Sequence, residues 1–179
     1  MPERKNKLPA AKARDIELLV MDVDGVLTTG EVILDGDGRE LKRFHVLDGA
    51  GIKYFQRVNK QVAIISGRHC QAVDVRAKEL GIDIVIQDAK DKLPVYHELL
   101  DRLGLNTGQT AVMGDDLTDL PMMRTCGLAI APANAVEMVR QAASLVTTAA
   151  GGAGAVREAI EILLKGAGLW EQILARYVE

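Results

Sequence analysis

Cysteine, histidine, long apolar runs and net charge are all scarce in this chain, and each scarcity removes a class of explanation. There are two thiols, Cys70 and Cys126, in 179 residues. They lack metal-ligand spacing and are expected to be free, so neither a disulfide framework nor a cysteine-bound metal organises the fold. His45, His69 and His97 fall in different expected elements. None is assigned a catalytic role; His69 comes nearest because it borders the turn after Ser66. No apolar run approaches the roughly 20 residues of a spanning helix. Ile16 to Met21 is too short for the core of a signal peptide and runs straight into Asp22. A cytosolic location is therefore expected. A formal net charge of −3 gives no general attraction to nucleic acid or to an anionic membrane, so any anion binding must be local to a site.

What the chain has is a hydrophobic content of 48%, enough for a single domain with a sizeable core. Its opening basic residues, Arg4, Lys5, Lys7, Lys12 and Arg14, are expected to be a solvated, frayed terminus. Beyond them, short apolar runs each stop at chemically active residues. Ile16 to Met21 has the composition of a strand buried on both faces. Asp22 and Asp24 follow it, two residues apart, and lie on one side if the backbone stays extended. Asp24-Gly25 alone marks a turn, but a turn gives no reason for Asp22. Val62 to Ile65 leads into Ser66-Gly67-Arg68, Ile82 to Ile86 precedes a helical pattern that Lys92 opens, and Thr110 to Met113 leads into Gly114-Asp115-Asp116-Leu117-Thr118-Asp119. Parallel strands would bring these ends to one rim, where open α/β sheets bind ligands. The result is a cation site beside an anion site.

Strands alternate with helical patterns throughout, which predicts an α/β fold with a doubly wound parallel sheet. The expected helices carry Ile52, Tyr54, Phe55 and Val58; then Ala72, Val73, Val75 and Leu80 as inward positions, closed by Gly81; then Lys90 to Leu103, Leu117 to Arg124, Ala135 to Ala142 and Ala155 to Leu164. An amphipathic tail runs from Leu169 to Val178. Residues 30–34 and 40–44 flank Asp35-Gly36-Asp37-Gly38 as a hairpin that interrupts a strand-to-helix crossover. An isolated hairpin is marginal in water, so this one should project and find a partner. Asp48 can cap the helix that follows it.

The order Asp-x-Asp-Gly-x-x-Thr, Ser-Gly-Arg, Lys, Gly-Asp-Asp-x-x-Asp resembles the four-motif signature of the haloacid dehalogenase (HAD) superfamily of phosphatases, over about residues 16–161. Four motifs in order, each after a strand pattern, are far more specific than any one alone. More narrowly, Val23 to Thr28, Phe44 to Ile52 and Gly151 to Glu158 resemble the family of 3-deoxy-D-manno-octulosonate 8-phosphate (KDO 8-phosphate) phosphatases, which supply a lipopolysaccharide precursor and lack a separate cap domain. The resemblance implies Mg²⁺ held by the Asp22 carboxylate, the Asp24 carbonyl and the Asp115 carboxylate. Asp22 would be the nucleophile, forming an aspartyl-phosphate, and Asp24 the acid and base. Ser66, the Gly67 amide and Lys92 would hold the phosphoryl group. Asp119 would hold metal-bound water or orient the ligands, and Asp116 would do the same or cap a helix.

Arg68 suits the sugar acid's carboxylate through its planar fork; a relative acting on a nononic acid 9-phosphate has an acidic residue there. Asp48 and Arg76 are further substrate candidates, and Arg76 and Arg157 could equally serve an interface. Leu47 stands where the family often has a basic residue, and Gln87-Asp88 where Gln-Gly is usual. Related phosphatases are tetramers whose hairpins meet at the centre. A homotetramer is therefore expected, with a neighbouring subunit closing the site through the Gly151–Gly154 turn or the tail after Gly166. Three other readings stay open: a phosphoacceptor resembling a response-regulator receiver, which Asp24 argues against; a non-catalytic HAD-like scaffold; and a phosphatase for another sugar-acid phosphate.

Overall fold

The computed structural model describes residues 10–178. The expected frayed stretch at Arg4, Lys5 and Lys7 lies outside them, whereas Lys12 and Arg14 belong to a short helix, α1 (Ala10–Asp15), not expected from sequence. Six parallel strands form the main sheet: β1 (Leu18–Met21), β4 (Gln61–Ile65), β5 (Ile84–Ile86), β6 (Thr110–Met113), β7 (Leu128–Ala131) and β8 (Leu145–Val146), in the order β5-β4-β1-β6-β7-β8. Leu18 pairs with Gln61 on one side and Thr110 on the other. The chain thus winds outward in both directions from a central β1, and the carboxyl ends of β1, β4 and β6 become neighbours. That reversal of winding is where open α/β sheets bind ligands.

β1 is apolar at every position because both its faces are covered. Leu18 and Val20 face helices α4 (Lys92–Leu103), α5 (Leu120–Thr125) and α6 (Glu137–Ala142), packing with Tyr96, Leu99, Met122 and Val139. Leu19 and Met21 point the other way, toward α2 (Val46–Arg57), α3 (Gln71–Leu80), α7 (Ala155–Ala167) and α8 (Trp170–Val178), which contribute Ile52, Phe55, Val73, Ile160 and Ile173. Full burial of one such side chain stabilises the fold by about 1.5–3 kcal/mol. α3 ends at Gly81 as expected, but its buried positions are Val73, Ala77 and Leu80; Val75 is exposed. α7 continues through Gly166 to Ala167, further than its expected end at Leu164.

The hairpin is antiparallel and short, β2 (Ile33–Leu34) with β3 (Glu40–Leu41), and leaves Val32, Ile33, Leu34 and Leu41 exposed. The Asp35 carboxylate closes its turn by accepting from the amides of Asp37 and Arg39. Among the described residues no helix is long and apolar enough to cross a membrane.

Candidate active site

The first carboxylate follows directly from where β1 stops. The Asp22 amide still donates to the Met113 carbonyl at 3.0 Å, continuing the ladder to β6, and the residue is only 7% exposed. Past Asp22 the chain must turn sharply. Gly25 adopts φ +92°, and a Cβ there would sit 2.0 Å from an Asp115 carboxylate oxygen, so the turn needs glycine on both counts. Thr28 Oγ1 donates back to the Val23 carbonyl and fixes the loop from inside.

Lys92 opens α4, after Asp91 has capped it, and reaches across the strand ends. Its Nζ lies 2.6 Å from Asp22 Oδ1 and 2.7 Å from Asp119 Oδ1. The other Asp119 oxygen accepts from the amides of Asp115 and Asp116, at 3.0 and 3.3 Å. Asp119 therefore ties the β6 loop to Lys92, and both its oxygens are engaged by protein donors. Asp115 differs: its Oδ1 is buried and without a hydrogen-bond partner. Leaving a buried carboxylate oxygen unpaired is costly. Oxygens of Asp22, Asp115 and Asp119 come within 4.8 Å of one another. Three carboxylates on one ammonium leave the cluster short of positive charge.

The acidities reflect that crowding. Burial, reinforced by the Asp119 charge and opposed by Lys92, pushes Asp22 up to about 6. Burial together with Asp22, Asp119 and Asp116 pushes Asp115 up to about 7. A hard divalent cation between Asp22 and Asp115 would satisfy the orphan oxygen and offset the repulsion. All-oxygen donors are the set Mg²⁺ takes, so the residues present fit it.

Asp22, Lys92 and Asp115 line a cleft of about 560 Å³ together with Asp24, Ser66, Gly67, Arg68, Lys90 and Asp116. Ser66 is buried at the end of β4, where its Oγ accepts from the Arg68 amide and its carbonyl from the Ala89 amide. Asp88, in the link from β5, has φ +58°. Aspartate tolerates that left-handed conformation better than most residues, so it can occupy a turn position that glycine would also suit. Asp116 is exposed at the rim, where it begins the 3₁₀ turn Leu117–Asp119.

The structure thus brings together Asp22, Asp24, Asp115, Asp116, Asp119, Ser66, Gly67, Arg68 and Lys92. It does not bring Asp48 or Arg76 to them. Asp48 lies inside the first turn of α2 and does not cap it. Its buried carboxylate accepts from the Gly154 and Arg157 amides, at 3.2 and 2.8 Å, and so caps α7. Arg76 pairs with Glu79 on α3 and lines a separate groove beside the hairpin. Leu47 is exposed on the first turn of α2.

The Gly151–Gly154 turn, expected to reach a neighbour, is engaged within its own chain. The Gly151 amide donates to Asn134 Oδ1, whose Nδ2 donates to the Gly25 carbonyl, and a Cβ at Gly151 would meet that carbonyl at 1.8 Å. The tail is also engaged, with Ile173 buried and Trp170 and Tyr177 stacked edge-on to Tyr54 of α2. Sequence reasoning missed Asn134, Glu40 and Lys42. Lys42 pairs with Asp24 and Glu40, and Glu40 with Arg68.

Residues 84–160 match the haloacid dehalogenase-like hydrolase family. The 3-deoxy-D-manno-octulosonate 8-phosphate phosphatase KdsC of Escherichia coli K12 is 42% identical over 158 residues, which cover 88% of this chain and 84% of that one. The crystal structure of the corresponding Yersinia pestis phosphatase superposes with a TM-score of 0.88 at 41% identity, covering 90% of this chain and 88% of the other. That of the Moraxella catarrhalis enzyme, in complex with magnesium, phosphate and KDO, does so with a TM-score of 0.92 at 40% identity, covering 94% and 97%. Identity at this level, sustained across nearly the whole length with the four motifs on the expected strand ends, makes the chain a member of the KDO 8-phosphate phosphatase family of HAD-like hydrolases.

Proposed function

We propose that this protein is a Mg²⁺-dependent phosphatase that hydrolyses KDO 8-phosphate to KDO and phosphate. The observation that carries the reading is the group of Asp22, Asp115 and Lys92 lining a cleft of substrate size, with one Asp115 oxygen buried and unpartnered. Asp22 attacks phosphorus and forms an aspartyl-phosphate, which divides one difficult displacement into two easier ones. Asp24, two residues on and lining the same cleft, gives its proton to the departing sugar oxygen and takes one from the water that attacks next. Lys92 places its charge beside Asp22 and the phosphoryl oxygens, which Ser66 and the Gly67 amide also hold. Asp119 keeps Lys92 and the Asp115 loop in place. The Asp22 and Asp115 carboxylates and the Asp24 carbonyl would hold Mg²⁺, which would supply positive charge to offset the repulsion between nucleophile and ester. Arg68, half exposed at the mouth, takes the sugar acid's carboxylate. The test is phosphate release from KDO 8-phosphate, a nononic acid 9-phosphate and an aryl phosphate, with Mg²⁺ or chelator. A strong preference for the octulosonate, lost with chelator, is expected. Equal weak release from all three would remove the substrate assignment.

The chain acts as a single domain, and the cleft is completed in a homotetramer assembled through the hairpin. Exposed Val32, Ile33, Leu34 and Leu41, continued by Val46, Leu47 and Val75, support that reading, since an apolar surface of this extent marks an interface. With the Gly151–Gly154 turn and α8 engaged in their own chain, the hairpin is the element left to meet a neighbour. Leu34→Asp should yield a smaller species by light scattering with reduced turnover on KDO 8-phosphate; a monomer with undiminished turnover would overturn the assembly.

A further inference from the structure

The hairpin reaches two residues of the cleft wall, Asp24 and Arg68, through two charged side chains that the reaction above does not use. Lys42, its side chain only 1% exposed, sits between Asp24 Oδ1 and Glu40 Oε1, the latter at 2.9 Å. The second Glu40 oxygen lies 2.9 Å from Arg68 Nη2, and Arg68 Nε lies 3.7 Å from Asp24 Oδ2. Asp24, Lys42, Glu40 and Arg68 therefore close a ring of alternating charges. It spans three segments: the loop after β1, strand β3 and the turn after β4. Glu40 and Lys42 do not line the cleft; Asp24 and Arg68 do.

We propose that Glu40 is a positioning residue for the substrate's acid end. It holds the Arg68 guanidinium at the cleft mouth by Nη2, while Nε faces Asp24, and leaves the Nη1 side of the planar fork for an incoming carboxylate. This rests on the reading of Arg68 as the carboxylate-binding group. The physical reason is conformational. Arg68 follows a tight turn, is half exposed and has four freely rotating side-chain bonds, so an untethered guanidinium must be ordered when substrate binds. Ordering such a side chain costs about 0.5–1.5 kcal/mol, or roughly a three- to tenfold weaker apparent affinity. Glu40 removes that cost in advance. A second consequence is that hairpin and selectivity are coupled: whatever moves β3 moves Arg68.

The informative variant is Glu40→Gln in the full-length protein. A glutamine keeps its shape but offers one accepting oxygen. The buried Lys42 ammonium has the greater need of it, so the arm to Arg68 is the one that breaks. Steady-state kinetics with KDO 8-phosphate and with an aryl phosphate, which has no carboxylate, reads the effect. The expected result is a roughly three- to tenfold higher KM for KDO 8-phosphate with little change in kcat, and aryl phosphate kcat/KM unchanged within about twofold. In an Arg68→Ala background the same substitution should add nothing. Equal losses on both substrates, or an additive loss when Arg68 is already absent, would overturn the proposal. If Arg68→Ala raises KM for KDO 8-phosphate and Glu40→Gln does not, only the positioning role fails. If Arg68→Ala leaves KM unchanged, the carboxylate site itself is wrong and the Glu40 role falls with it.

Discussion

The two walls of the cleft are built in different ways. On the inner wall, Asp22, Asp115, Asp119 and Lys92 are carried by strand ends and the first turn of α4, packed beneath by a core that leaves them little freedom. On the outer wall, Asp24 and Arg68 are steadied by Glu40 and Lys42, which come from the two-residue second strand of an exposed hairpin and the residue after it. Burial, reinforced by the repulsion of neighbouring carboxylates, holds the inner groups Asp22 and Asp115 above the usual carboxylate range, so that they are weaker acids than free aspartate. The outer groups are mutually neutralised. The contrast separates chemistry, which needs fixed geometry at phosphorus, from selectivity, which a peripheral element can set without disturbing the sheet.

The sharpest way to break that contrast is on the inner wall. Asp22→Asn should remove turnover on every phosphate ester, because no other group in the cleft replaces the nucleophile; loss of less than about a hundredfold in kcat would be inconsistent with covalent catalysis by Asp22. Lys92→Met leaves Asp22 and Asp119 buried without their shared cation. It should cost roughly a hundredfold or more in kcat and about 3–5 kcal/mol of stability by denaturant melting.

A third effect depends on pH. Asp115 rises from 3.8 to about 7 on folding without a cation. A carboxyl whose pKa is higher folded than unfolded holds its proton more tightly when folded. Its contribution to stability is therefore lost as pH rises between those two values. Cation binding runs in the opposite sense, since the ion must displace the same protons. Mg²⁺ should accordingly raise the melting temperature more at about pH 8 than at about pH 5.5; an equal shift at both would contradict Asp115 as a ligand. On the outer wall, Arg68→Ala should raise KM for KDO 8-phosphate by about tenfold and leave an aryl phosphate nearly unaffected. The smallest change is expected away from both walls. Asp48→Asn weakens the cap on α7 and should lower stability by about 1 kcal/mol with kcat/KM unchanged.

The inner wall was legible in the sequence because its signal is local. Asp22 and Ser66 follow an apolar run directly and Asp115 follows one a single glycine later, so placing the strands placed the residues. The sheet was legible for the same reason. Asp48 was misread because its partners are remote: a carboxylate near the start of a helix looks like that helix's own cap, yet its donors lie 106 and 109 residues further on. Val75 was misread because periodicity fixes a helix but leaves the phase of a weakly amphipathic one open, and in α3 the buried stripe runs through Val73, Ala77 and Leu80. Glu40 and Lys42 carried no signal at all. Charged residues alternating in a hairpin look like a solvated edge, and only the fold of β3 against the cleft turns them inward.

The account stands most directly on Asp22 as a covalent nucleophile with Asp24 as its acid and base. An aryl phosphate has a good leaving group that needs no acid, so in Asp24→Asn the first displacement proceeds while the hydrolysis that needs the base is slowed. Acid quenching after brief exposure to aryl phosphate and Mg²⁺, followed by intact and peptide mass spectrometry, should find a phosphoryl group on Asp22. Turnover without any phosphorylated protein, or a phosphoryl group on another residue, would contradict it.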